Sequence, residues 1–407
     1  MSGPFARSGN RPGAIDRRRF VALTGASCAG AAALALLPGE DAGAAPRLGA
    51  DPFTLGVASG NPRPDGFVLW TRLAPEPLNG GGMPDRPVPV RWAVAADEGM
   101  HLVVRQGTAL AVPALAHSVH VEVEGLLPGR DYFYRFTVRG EESPVGRTRT
   151  APPRGQHLER LRFAFCTCQN WSDGYYTAFR HMAEEELDVV LHLGDYIYEG
   201  IAPNGRVRNV ALPELLASEA MTLEQYRAIH AVYKTDPDLQ RAHARFPFVV
   251  TWDDHEVEND YTGLISENND PIREFARRRA AAYQAFYEHL PLRASSARHQ
   301  RLYRRFRFGD LATFHVLDGR QYRSDQPCGD GETPRCAAAL DSAKTMLGER
   351  QERWLGEGLA GSRTRWNVLA QQVLMAELNH QRSPGQVEKV FWNDAWDGYP
   401  LARRRIL

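Results

Sequence analysis

Three apolar runs end abruptly in residues that can bind a metal or move a proton. "FAFCTCQN" carries Cys166 and Cys168, "LHLGDYIYEG" carries Asp195, Tyr196 and Tyr198, and "FVVTWDDHEVEND" carries Asp253, Asp254, His255 and Glu256. Carboxylates suit a hard cation. A phenol must first lose a proton that ordinarily leaves at about pH 10, which takes a strongly Lewis-acidic ion such as ferric iron. Each stretch also has a plain reading, in which Asp and Tyr are the polar dressing of a loop and the acid block is a solvated surface. Strand exit combined with Asp-His-Glu is the better match to a metal and phosphate site.

The elements that must position these residues can be read from hydrophobic period. Residues 51–150 read as an all-β unit, with "FVLWTRL", "VPVRWAVA", "HSVHVEVEGL" and "DYFYRFTVRG" separated by Gly and Pro turns. This suits a β-sandwich of immunoglobulin or fibronectin type. "TAPPRGQ" is a linker. From about residue 158 strands alternate with helices: "LRFAFCTC", "LDVVLHLG" and "PFVVTW" as strands, "YYTAFRHMAEEE" and "IREFARRRAAAYQAFYEHL" as helices. "YRRFRFGDLATFHVLDGR" reads as a strand pair about a Gly-Asp turn, followed by helical "GERQERWLGEGL" and the strand "WNVLAQQVLMA". In such an α/β unit, ligands are expected where strands reach their carboxyl ends.

The 49 basic and 49 acidic residues cancel, so no global field argues for nucleic acid or an anionic membrane. The first 45 residues differ: "DRRRFVAL" precedes an Ala-rich apolar stretch, and "AGA" at Ala42 to Ala44 fits a cleavage site. That pattern predicts a twin-arginine signal peptide over residues 1–45, the translocation machinery as a partner during export, and a secreted, periplasmic or wall-associated protein without a membrane anchor. A basic tail that stays attached is the plainer alternative. In an exported chain, Cys328 and Cys336, which enclose "GDGETPR", read as a disulfide.

"GDYIY" resembles the Gly-Asp-x-x-Tyr element of calcineurin-like metallophosphoesterases, particularly the purple acid phosphatase branch, and "DDHE" their Gly-Asn-His-Glu element. Together with "FHVLDGRQYRSDQPC" and, in the first unit, "DPFTLGVASGNPRPDGFVLWTRLAP", these stretches resemble the PhoD-type alkaline phosphatases over roughly residues 50 to 400. The resemblance implies an α/β fold: an N-terminal immunoglobulin-like β-sandwich (51–150), then a metallophosphoesterase β-sandwich core flanked by helices (158–407). It implies Cys168, rather than Cys166, together with Asp195, Tyr198 and Asp254 as ligands of a ferric ion, with Asp195 and Asp254 also placed to bridge toward calcium. A thiolate, a phenolate and carboxylates supply negative charge for a trivalent ion.

The same resemblance implies a hydrolase acting on small phosphate mono- or diesters, in which a metal-bound hydroxide or oxide attacks phosphorus and His255 hydrogen-bonds the phosphoryl group or leaving oxygen. Asp253, Glu256, Asn259 and Arg320 are expected to orient ligands or meet phosphate, and Glu256 and Asn259 can equally be solvated polar groups of a loop. Arg320 at a strand end can equally be a structural ion-pair partner. The family's later Gly-Asp-x-His element has no counterpart before "WDGYPLARRRIL", so the catalytic unit is expected to be incomplete at its C-terminus. Two alternatives accompany this reading: a non-catalytic exported binding protein, and an acid phosphatase of purple type.

Overall fold

The computed structural model describes residues 50–201, 207–295, 301–329, 331–381, 383 and 388–407. The twin-arginine stretch and its cleavage site lie outside them. β1 (Val57–Arg63) and β2 (Gly66–Arg72) are buried almost throughout, as strands covered on both faces are. They are followed by β3 (Val88–Ala95), β4 (Val103–Ala111), β5 (Ser118–Val123), β6 (Asp131–Val138), β7 (Glu141–Glu142) and β8 (Gly146–Arg149). β6 alternates strictly between half-buried and buried positions, which places one face on a core.

Beyond Pro152 and Pro153 the order is β9 (Phe163–Cys166), α1 (Thr177–Met182), β10 (Val189–His192), α2 (Leu223–Lys234), α3 (Pro237–Arg245), β11 (Pro247–Val250) and α4 (Ile272–His289). Then come β12 (Arg304–Phe308), β13 (Ala312–Val316), β14 (Glu332–Pro334), α5 (Glu349–Ala360), β15 (Trp366–Ala370), β16 (Val390–Trp392) and α6 (Pro400–Ile406). α2 and α3 had no counterpart in the hydrophobic pattern, yet both carry start signals. Thr222 and Gln225 form a reciprocal capping box, and Asp236 accepts from the backbone of Asp238 and Leu239 just before Pro237 opens the helix.

The sheet that positions the candidate site runs β5-β2-β1-β11-β10-β9. β11, β10 and β9 are parallel, and β1 joins them by parallel pairing at Ser59 with Pro247 and Gly60 with Phe248. Strands from both sides of the proline linker therefore share one sheet. Hydrophobic period reports which face of a strand is buried, not which distant strand lies beside it. The junction is close: a Cβ on Gly60 would meet the Phe248 carbonyl oxygen at 2.4 Å.

A second sheet, β4-β3-β6-β7 with β8 on β6, packs Val90, Val94 and Phe136 against Phe67 and Leu69 of β2. A third, β12-β13-β15, packs Phe306, Phe314 and Val316 against Val189, Leu191 and Val249. The alternate residues Val190, Phe248 and Val250 face the other way, onto Ile229, Val232 and Phe286 of α2 and α4. Leu355 of α5 and Ala402 of α6 pack with Leu317 and Trp396 on the third sheet's side. Among the described residues, no helix is long and apolar enough to cross a membrane.

Candidate functional site

Three of the chemistry-bearing stretches follow adjacent parallel strands, so sheet geometry brings their ends together. After β10 the chain turns through Gly194 (φ 116°) and Asp195 (φ 52°), and after β9 through Cys168 (φ 55°). Gly194 is required here, because a Cβ would lie 2.6 Å from the Asp253 backbone nitrogen. The left-handed conformation at Asp195 and Cys168 costs about 1–2 kcal/mol for a residue with a Cβ. The Cys168 backbone N–H donates to the Gly194 carbonyl (3.2 Å), holding the two turns to each other.

On this frame the Tyr198 hydroxyl and the Cys168 thiol both approach Asp195 Oδ2, at 3.4 and 3.5 Å. Asp195 Oδ1 is buried and has no hydrogen-bond partner among the described residues. Ligand atoms of Asp195, Asp254 and His255 lie within 4.8 Å of one another. Cys166 ends β9 itself, its thiol directed at the Leu191 carbonyl (3.7 Å) and pushed far up by burial. Tyr196 is fully buried, with its hydroxyl 2.8 Å from His243 Nε2.

Beneath the cluster Glu256 acts as a hub. It accepts from the backbone N–H groups of Tyr196 (2.6 Å), Asp253 (2.7 Å) and Asp195 (3.1 Å), fixing both acid-bearing turns. Arg320, 1 % exposed, donates to Asp253 (2.5 Å) and to both oxygens of Asp394, and lies 3.2 Å from Asp254. Of the two roles open for Arg320, the geometry is that of an ion-pair partner. Arg323 also binds Asp394. The Asn259 backbone N–H donates to Glu199 (2.7 Å), while its side chain meets Glu267.

Electrostatics follow from burial. Desolvation first, then Asp253, Asp254 and Glu256, push the Asp195 carboxyl far above the usual carboxylate range. Glu256 and Asp253 are likewise raised by desolvation, with Arg320 opposing the rise at Asp253. For His255, burial alone would lower the imidazole, but the bond to Glu199 (2.7 Å) and the charges of Asp254 and Asp195 outweigh it and raise it to about 10. The Tyr198 ring packs against His255 with centroids 4.1 Å apart and planes tilted by 31°, restricting its rotation. This is a concentration of buried carboxyl groups with an orphaned oxygen, a thiol and a phenol at its rim. Such a donor set fits a cation.

Residues 163–407 match the family model for the PhoD-like phosphatases, and residues 40–152 match the model of that family's N-terminal domain. The chain belongs to the PhoD-like phosphatase family. It is 49 % identical to alkaline phosphatase D of Bacillus subtilis (strain 168) over 404 residues, which is 97 % of this chain and 68 % of the relative. A solved structure described as PhoD superposes with a TM-score of 0.84 at 51 % identity, covering 89 % of this chain and 69 % of the other. This PhoD-like chain is thus a member of an enzyme family, as the resemblance implied.

Sequence reasoning passed over several residues that the fold brings in. Glu199, the partner of His255, sits one residue beyond "GDYIY" and could have been found as the nearest acid. Asp394 comes from a distant loop and had no local signal, whereas Arg323 stands three residues after Arg320 in "FHVLDGRQYRSDQPC" and its neighbour was the usable hint. Together with Asp254 and Asp260, Asp394 makes a second set of carboxylates whose oxygens lie within 4.8 Å. This set fits a cation less well, because Arg320 and Arg323 already neutralise Asp394 and hold it far below the usual carboxylate range against its burial. Cys328 and Cys336 are joined by a disulfide with Cα atoms 5.5 Å apart.

Proposed function

We propose that this chain is an exported, metal-dependent phosphatase that hydrolyses small phosphate mono- or diesters in the alkaline range. The observation that carries the reading is the buried Asp195–Asp254–His255 cluster, with an unpartnered Asp195 oxygen and the Cys168 thiol and Tyr198 phenol at its rim. Cys168, Asp195, Tyr198 and Asp254 would hold ferric iron, and Asp195 and Asp254 would be shared with calcium. The ions would supply Lewis acidity toward phosphoryl oxygens and a more acidic water.

The chain's own residues do the rest. His255, held protonated by Glu199, offers a proton and a hydrogen bond to a phosphoryl or leaving oxygen. Tyr198 packs against its ring and keeps it aimed. Arg320 and Glu256 hold the carboxylates in place without facing substrate. A histidine that keeps its proton to about 10 suits alkaline turnover. The purple-type alternative is less favoured, since the two potential metal-binding groups among the described residues contain one histidine between them.

Export rests on the "DRRRFVAL" stretch, and the Cys328–Cys336 disulfide suits an oxidising compartment. The test is metal analysis of the purified protein alongside hydrolysis of p-nitrophenyl phosphate and bis-p-nitrophenyl phosphate. Iron with turnover at alkaline pH is expected, and protein that is folded, free of iron and inactive after reconstitution would sink the reading. Tyr198→Phe should abolish a visible ferric-phenolate band that Tyr196→Phe retains.

A further inference from the structure

A cavity of about 690 Å³ lies between the turn that follows β1 and the free edge of β12. Five consecutive residues, 303–307, line it. Side chains of a strand alternate between faces, so five in a row reach one cavity only when it runs along the strand's edge. Among the described residues β12 pairs only with β13, which leaves that edge open. The cavity is apart from the candidate metal site: Asp195, Asp254 and His255 do not line it.

Its charge is one-sided. Among the described residues, seven arginines line it against one carboxylate, Asp65. Arg293 is paired with Glu122 (2.7 Å), and Arg63 lies 4.0 Å from Glu124. Arg154, Arg301, Arg304 and Arg307 form no ion pair with a carboxylate among the described residues. Arg304 is the centre of the arrangement. Its guanidinium is fixed by neutral acceptors alone: Asn61 Oδ1 (2.9 Å), the Leu302 carbonyl (2.7 Å) and the Val250 carbonyl (2.8 Å). Burial, then the neighbouring Arg293, pull it down to about 9.

A fold that serves only stability would pair a half-buried cation such as Arg304 with an acid. Arg304 is half-buried and held in place with its charge uncompensated, exposed Arg154 and Arg301 stand at the rim, and planar guanidiniums match the oxygens of a phosphate in geometry and sign. We propose that this cavity is a second anion-binding site, separate from the carboxylate cluster, which takes a phosphate anion carrying two or more negative charges. It needs no metal, because arginines supply the positive charge. The source of the phosphate can be free orthophosphate or a chain of linked phosphoryl groups, and the two differ in how many arginines they engage.

The test is calorimetric titration with inorganic phosphate and with pyrophosphate. It uses the wild-type protein, Asp254→Asn, and the triple variant Arg154→Ser, Arg301→Ser, Arg307→Ser. Binding should persist in Asp254→Asn and weaken by roughly tenfold or more in the triple variant, as expected for lost charge-assisted hydrogen bonds. The triple variant should keep its p-nitrophenyl phosphate turnover. Tighter binding of pyrophosphate supports the site with linked phosphoryl groups as ligand, and equal binding supports it with orthophosphate. Should the triple variant unfold, Ser295→Glu, which adds a carboxylate at the rim and removes no arginine, must weaken binding instead. Loss of all binding in Asp254→Asn, or undiminished binding in folded arginine and Ser295 variants, overturns the proposal.

Discussion

Two clusters of buried titratable groups flank Tyr196, one acidic and one basic. On one side stand Asp195, Asp253, Asp254 and Glu256, and on the other Lys234, His192, His230 and His243, all of them buried. Burial pushes groups on both sides toward their neutral forms: Asp195, Asp253 and Glu256 move up, Lys234 falls to about 7, and His192 falls to about 3. The difference lies in access. The acids open at exposed Cys168 and half-buried His255 and Tyr198, where a cation can restore their charge. The basic cluster is closed, with Lys234 Nζ 4.2 Å from the centre of the Trp70 ring and both nitrogens of His192 and His230 without a partner among the described residues. Equal burial thus gives a binding site where the groups reach solvent and internal cost where they do not.

Breaking the acidic side should produce the largest effects. Asp254→Asn is expected to lower p-nitrophenyl phosphate turnover by about a thousandfold and to release bound metal, read by steady-state kinetics and elemental analysis. Arg320→Met leaves Asp253 and Asp394 buried without their shared cation, so urea unfolding should show a loss of about 3–5 kcal/mol. A wild-type midpoint in that variant would mean that the carboxylates do not depend on the arginine.

Glu199→Gln probes the open edge of the acidic side. It removes the charge that lifts His255 to about 10, so the imidazole loses its proton at lower pH. The alkaline limb of kcat/KM should shift toward neutrality, and turnover should fall by about 10–100-fold. An unshifted limb would remove His255 from proton delivery.

The smallest effect is expected on the closed side. Lys234 binds its proton less tightly folded, at about 7, than at its ordinary 10.5, so its charging penalises the fold. That penalty is full below about pH 7, shrinks as pH rises, and is gone above 10.5. Lys234→Met should therefore be more stable than wild type by about 1–2 kcal/mol at pH 7, with the gap closing toward pH 10 in thermal melts. A gap that widens with pH would mean that the lysine is compensated in the fold.

Much of this was legible in the residues. Apolar runs bounded by Gly and Pro marked β2, β3, β6, β10 and β11, and the abrupt appearance of Asp, Tyr, Cys and His at run ends marked the cluster. Local chemistry suffices there, because a strand end and the turn after it are neighbours in sequence. α2 and α3 escaped because the apolar stripe is blurred by buried polar residues, His230 and Lys234 in α2 and Asp238 and His243 in α3; their caps were the usable signal.

Residue order alone set which side-chain types stand at each strand end, and so the kind of chemistry available: thiol, phenol, carboxylate and imidazole. It took the folded chain to seat β1 beside β11, to turn Glu199 onto His255, and to bring Arg320 and Arg323 together at Asp394. Folding also gathered arginines from four separate segments around one cavity. The reason is that strand pairing and buried ion pairs join residues tens to hundreds of positions apart, where neither spacing nor period carries information. Their energies depend on burial, which exists only once the chain has folded.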